Sequence, residues 1–288
     1  MTVQVFRVLC LLVAIPVWVT GAAAADTREH YGVVRIGVTP VFLDYQTALL
    51  GDWQQYLETR LQRPVKFTQR SSYREIMELL LADELEFAWI CGYPFVSHRP
   101  NLRLLAVPIY QGQPLYQSYL IVPRSDDKTR SIVELKGKLF AYSDPDSNSG
   151  YLVPQYQLYS KGEDRDGFFR KAFFTWAHQK VVEAVAAGLA DGGAVDGYVW
   201  DTLEKVNPAL TAKTRVVTKS EKFGFPPFVA RRHVPDHIFD AMQHALTQMT
   251  EDPQGQSLLN RLNLDGFNVE KEGLFDSIAE LMKTLPTR

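Results

Sequence analysis

Short runs of β-branched and aromatic residues alternate along this chain with stretches where apolar side chains recur every three or four positions. Val33–Val38 reads as a strand, and Leu49, Trp53, Leu57 and Leu61 follow at helical spacing. Val65–Thr68 is a second strand. Ser72-Tyr73-Arg74-Glu75 has the spacing of a capping box and opens a helix with Ile76, Leu79 and Leu80 on its apolar face. Phe87–Cys91 is wholly apolar, as a central parallel strand is, and Leu102–Ile109 and Ser118–Val122 continue the sheet. A second series starts near Arg124, with strands at Leu139–Tyr142, Phe173–Trp176, Ala194–Asp196 and Arg215–Thr218. Helices fall between them at Tyr151–Tyr159, His178–Leu189 and Thr202–Val206. After Pro226-Pro227 come Phe228–Ala230 and closing helices near Asp236–Met249 and Leu274–Lys283.

Strands and helices in alternation imply an α/β fold. Two such series with helices left over at the C-terminus predict two β/α lobes and a chain that crosses over and returns. Residues 31–122 plus 228–288 are expected in lobe 1 and residues 123–227 in lobe 2. The first 25 residues are set apart. Arg7 precedes an apolar run, Val8–Val19, and Ala22–Ala25 supply small residues before Asp26. This is the layout of a cleavable signal peptide, too short for a comfortable bilayer span, and it predicts export to the periplasm. Cys10 lies inside the apolar run in a poor lipoprotein context, so the exported chain keeps one cysteine, Cys91, and no internal disulfide.

Composition narrows the function. A net charge of -2 lacks the basic excess of a nucleic-acid binder, and 46% hydrophobic residues exclude a disordered chain. No Gly-rich dinucleotide fingerprint, phosphate-binding loop, nucleophile elbow or His-Glu-x-x-His motif occurs, so neither catalysis nor a cofactor or metal is expected. His233, His237 and His244 read as surface or capping residues. Asp144 and Asp146 read as a solvated turn rather than a cation site. The informative segment is Asp144-Pro145-Asp146-Ser147-Asn148-Ser149-Gly150-Tyr151, between a strand and a helix. Its hydroxyl and amide groups at a helix N-terminus suit an anion cradle, and equally a plain helix cap.

That segment, with Leu152-Val153-Pro154, resembles the ligand loop of the phosphate, phosphite and phosphonate periplasmic binding proteins of ABC importers. Ser72–Glu75, Phe87-Ala88-Trp89 with Gly92-Tyr93-Pro94, Trp176-Ala177-His178, Asp191–Asp196 and Phe225–Phe228 match in the same order. The resemblance implies a bilobal type II periplasmic-binding-protein fold, with two lobes joined by two hinge strands and an oxyanion in the cleft. Carried over by position, Ser147 and Ser149 with their amides cradle the oxyanion, Tyr73 and Tyr116 reach it from the first lobe, and His178 donates from the second. Asn148 and Tyr198 fall at further ligand positions. Asn148 replaces a small hydroxyl residue or alanine. Tyr198 and the Pro226-Pro227 segment replace two acids that hold an amine in aminophosphonate binders, which favours a small, amine-free oxyanion.

Cys91 ends an apolar strand where α/β sheets place ligands. It reads as a buried structural thiol. The alternative is a soft ligand, because the segment also resembles arsenite-binding sensors of the same family. The expected molecule is a monomeric receptor that captures a small oxyanion for an ABC permease. The alternative is a periplasmic sensor that signals to a membrane histidine kinase.

Overall fold

The structure is a computed structural model that describes residues 32–39 and 47–285. The signal-peptide reading over residues 1–25 lies outside the described residues. Lobe 1 begins with β1 (Val34–Val38), α1 (Thr47–Leu61), β2 (Val65–Gln69), α2 (Tyr73–Leu81), β3 (Phe87–Trp89), α3 (Gly92–Ser97) and β4 (Leu102–Ile109). The second lobe follows with β5 (Leu115–Pro123), β6 (Leu139–Tyr142), α4 (Val153–Ser160), β7 (Lys171–Phe174), α5 (His178–Ala186) and β8 (Gly192–Asp196). It ends with α6 (Gly197–Val206), α7 (Pro208–Thr211) and β9 (Thr214–Gly224). The chain then returns to lobe 1 for β10 (Phe228–Arg231), α8 (Asp236–Thr247), α9 (Pro253–Leu262), β11 (Gly266–Asn268) and α10 (Asp276–Thr284).

The strands form two mixed sheets. The first has the order β11-β4-β10-β3-β1-β2 and the second β7-β6-β8-β5-β9. In the first, β1 pairs in parallel with β2 and β3, while the returning β10 lies antiparallel between β3 and β4. In the second, β6 is parallel to β7 and β8, and β5 runs antiparallel between β8 and β9. The two-lobed α/β architecture expected from the sequence is present.

Sheet membership moves the first lobe boundary. Lobe 1 was expected to extend to Val122, but Leu115–Pro123 belongs to the second sheet, so the chain crosses at Tyr110–Pro114 instead. Alternation marks a strand but not its partner, and β5 is held by antiparallel bonds to β8 and β9 that form only once residues 192–224 fold. The crossing contains a tight turn. Gln111 and Gly112 both have positive φ (51° and 73°), and Tyr110 and Gln113 exchange backbone hydrogen bonds of 2.9 and 3.1 Å. Glycine adopts that conformation without steric cost. The return crossing is Phe225-Pro226-Pro227, where the Phe225 N–H donates to Pro114 O at 2.9 Å and ties the two crossings together.

Aromatic packing anchors lobe 1. Trp53 and Trp89 pack edge-on with ring centres 6.0 Å apart, and Phe228 meets Trp53 at the same separation. All three side chains are buried, which joins α1 to β3 and β10. Strand ends differ modestly from expectation. Phe87–Cys91 stops at Trp89 because Cys91 caps α3, and the helix expected from Tyr151 is preceded by a π-helical turn, Asn148–Leu152. Helices α3, α7 and α9 and strand β11 had no predicted counterpart. Pro253–Leu262 opens on a polar half and gathers its apolar residues, Leu258, Leu259 and Leu262, only in its second half, and Gly92–Ser97 is too short to show a repeat.

Candidate functional site

Parallel strands of both sheets end at one seam, where loops turn into helices. From lobe 1, β2 leads into α2, whose cap is the expected capping box. The Ser72 hydroxyl accepts from the Glu75 N–H at 3.3 Å, and the Glu75 carboxylate accepts from the Ser72 N–H at 3.0 Å. This fixes the first turn and presents Tyr73, which is buried. Strand β3 ends at Trp89, two residues before Cys91, the N-cap of α3. From lobe 2, β6 runs into Ser143–Leu152, β7 into the start of α5 at His178, and β8 into Asp196, which caps α6 through the Tyr198 N–H at 2.8 Å. Ligand sites in open α/β sheets fall at such strand ends.

Three buried contacts close the seam. The Tyr73 N–H donates to Asp144 Oδ2 at 3.1 Å, Tyr73 Oη lies 3.0 Å from His178 Nε2, and the Asn148 N–H donates to Cys91 Sγ at 3.3 Å. At the rim, Arg74 meets Asp146 at 3.6 Å. The histidine's proton can be placed. Burial pushes its pKa down to about 3, so the ring is neutral. Nδ1 accepts from the Asp196 N–H at 3.0 Å, so the one ring hydrogen sits on Nε2 and is donated to Tyr73 Oη. The Tyr73 hydroxyl hydrogen therefore remains available to a third group. Burial holds that hydroxyl well above its ordinary pKa, so it is a donor and not a phenolate.

The loop itself is braced from beneath. Ser147 Oγ accepts from the Gly150 N–H at 3.0 Å, the Ser118 hydroxyl donates to Ser149 O at 2.6 Å, and Asn148 Nδ2 donates to the Tyr116 hydroxyl at 3.0 Å. Gly150 is required by space, since a Cβ there would lie 1.8 Å from Ser143 Oγ. Against this bracing, three polar atoms stand out. Ser143 Oγ, Asn148 Oδ1 and Ser149 Oγ are buried without a hydrogen-bond partner among the described residues. An unmet buried polar group costs about 1–3 kcal/mol, so three together mark a place built for something else.

Of the residues expected at the site, Tyr73, Ser147, Asn148, Ser149 and His178 come together, with Tyr116 behind Asn148. Two readings change. Tyr116 stands on β5 in the second sheet, so it belongs to lobe 2 and not to lobe 1. Tyr198 is turned away, its hydroxyl donating to Leu262 O at 2.5 Å while its ring packs against Tyr110 and Phe225. That carbonyl belongs to α9, a helix the sequence did not announce. Asp144 is not a solvated turn residue either. It is buried, bonded to the Tyr73 and Asp146 amides, and burial raises its pKa. Sequence reasoning missed Ser143, Ser118 and Asp196. A serine directly before the apolar Tyr119–Val122 stretch of β5 was the available hint for Ser118.

Cys91 faces the ligand loop across the seam. Burial pushes its thiol up to about 11, against hydrogen bonds from the Asn148 and Tyr93 amides, so it stays protonated. The donor set is thus neutral, made of hydroxyls and of amides at helix N-termini whose dipoles favour an anion, while the expected donation from His178 to the ligand is replaced by donation to Tyr73, whose hydroxyl hydrogen it frees.

The family model for the ABC transporter, phosphonate, periplasmic substrate-binding protein matches residues 36–271. Phosphate-import protein PhnD of Mycolicibacterium smegmatis is 25% identical over 204 residues, 67% of this chain and 64% of its own length, so the chain spans just under two thirds of that relative. The phosphonates-binding periplasmic protein of Escherichia coli is 23% identical over 258 residues, 86% of this chain and 75% of its own. Among solved structures, PhnD1 from Prochlorococcus marinus in complex with methylphosphonate superposes with a TM-score of 0.80 at 20% identity, covering 88% of this chain and 98% of that one. The fold is that of the type II periplasmic binding proteins, and the chain belongs to the periplasmic phosphonate-binding family of ABC-transporter substrate-binding proteins, a family of transport receptors and not of enzymes.

Proposed function

We propose that this protein is a periplasmic receptor that captures a small oxyanion of the phosphate, phosphite or phosphonate type between its lobes and delivers it, as a monomer, to an ABC permease. The observation that carries the reading is the set of polar atoms buried without partners at the seam, beside a Tyr73 hydroxyl left with a hydrogen to donate. A buried anion must exchange its water shell for several convergent donors, and Ser143, Ser149, Tyr73 and the helix N-termini offer them. Relatives named for phosphate and phosphonate support the ligand class. Side chains offering an amine a carboxylate are Asp144 and Asp196, and both are committed to backbone N–H groups. With Asp146 paired to Arg74 at the rim, this favours an amine-free oxyanion.

The sensor alternative rests on Cys91 as a thiolate ligand. Its protonated state argues against that role, although its place at the seam would let it report closure. Titration calorimetry of the mature protein with phosphate, phosphite, methylphosphonate, sulfate and arsenite decides the matter. Binding of phosphite or methylphosphonate that survives Cys91→Ser supports the receptor. Arsenite binding alone, abolished by Cys91→Ser, would replace it with the sensor.

A further inference from the structure

Asn148 places an acceptor where the rest of the site offers donors. Its Nδ2 is held by the Tyr116 hydroxyl at 3.0 Å and its backbone N–H by Cys91 Sγ at 3.3 Å, so the side chain cannot turn freely. Oδ1 is consequently directed to the other side, fully buried and without a partner among the described residues. An amide oxygen has only lone pairs to offer. Facing a fully ionised oxyanion it would set oxygen against oxygen, whereas facing a P–O–H group it completes a hydrogen bond.

The surrounding charge points the same way. Tyr73 and Arg74 face the loop from α2, Cys91 from the end of β3, Tyr116 from β5, His178 from α5 and Asp196 from the end of β8. On the loop itself stand Asp144 and Asp146. Arg74 is the one cation in this group, and it is mostly exposed and paired with Asp146 at the rim. His178 is neutral, and the carboxyls of Asp144 and Asp196 are buried. A second negative charge on the ligand would meet no buried cation here.

Resting on the oxyanion reading above, we infer that the site takes an oxyanion that keeps one proton, such as the monoanion of phosphite or an alkylphosphonate, and that Asn148 is the specificity-determining residue that accepts that proton's hydrogen bond through Oδ1. Sulfate, which carries no proton at neutral pH, is rejected because it leaves Oδ1 facing an oxygen lone pair.

The test is calorimetry of the mature wild type and Asn148→Ala with phosphite, methylphosphonate and sulfate from pH 5.5 to 9. In the wild type, affinity for phosphite and methylphosphonate should fall about tenfold per pH unit above each ligand's own second ionisation, with midpoints as far apart as those ionisations. Sulfate should bind at least about 100-fold more weakly than phosphite at pH 6, and Asn148→Ala should shrink that ratio by about tenfold, the scale of an unpaired buried group. Affinity independent of pH overturns the inference, as does one midpoint shared by both ligands, which would belong to a protein group such as Asp196. An unchanged phosphite-to-sulfate ratio in Asn148→Ala overturns it as well. Binding of none of the three at any pH would instead remove the oxyanion reading itself.

Discussion

Ser147 and Ser149 stand two residues apart on one turn, yet substitution should separate their roles. Ser147 Oγ caps the turn through the Gly150 N–H, so Ser147→Ala should lower stability by about 0.5–2 kcal/mol in urea unfolding, as lost caps do. Ser149 Oγ is buried without a partner, so Ser149→Ala should leave the unfolding midpoint no lower than in the wild type, and higher by the relief of that unmet group, while it weakens oxyanion binding by about 0.5–1.5 kcal/mol in calorimetry. His178 allows a signed pH test. Its pKa falls from an ordinary 6.5 to about 3, so between those values the unfolded chain takes up a proton that the folded one refuses. Stability from this residue is full above pH 6.5 and drains away as pH falls towards 3. The loss of stability between pH 7 and pH 4.5 should be smaller in His178→Gln than in the wild type. Residue types were the most legible layer of the site, because serines and an asparagine clustered between strand and helix have few other uses. Directions were not legible. Tyr198 was placed at the ligand by the family resemblance, whereas its hydroxyl's partner, Leu262 O, comes from 64 residues away.

Elements decide where those residues stand, and α2 shows how. Its capping box is local, readable from Ser72 and Glu75, and it sets the turn from which Tyr73 reaches His178. Ser72→Ala should therefore do two things at once. It should cost about 0.5–2 kcal/mol of stability, and it should weaken ligand binding although the Ser72 hydroxyl bonds to Glu75 and not to the cradle. A change in the unfolding midpoint with intact affinity would show that Tyr73 is positioned by the seam and not by its helix. Most strands were legible from apolar runs, since β3 and β8 are buried on both faces and their composition says so. Partnership was not. The pattern over Ser118–Val122 announces a strand, but only the ladder to β8 and β9 assigns it to lobe 2.

At the scale of the molecule, two sheets meet across a seam that two crossings hold together. Contacts such as Tyr73 to His178 and Asn148 to Cys91 exist only when the lobes are closed, so a ligand that bridges them shifts the population towards closure. Cys91 is buried in that state and should label slowly with a thiol reagent, and saturating methylphosphonate should slow the reaction further. Equal rates with and without ligand would show that closure does not depend on it. The two-lobe plan was legible from the doubled strand–helix series and the returning C-terminal helices, whereas the partnerless polar atoms were not, because burial is a property of the assembled seam. The central claim is that the lobes close on an oxyanion held by this cradle. A crystal structure of the protein grown with saturating methylphosphonate tests it most directly. The account predicts a tetrahedral anion between the lobes, within hydrogen-bonding distance of Ser149 Oγ and Tyr73 Oη. An anion bound elsewhere, or a seam closed on itself with Ser149 Oγ still unpartnered, would contradict it.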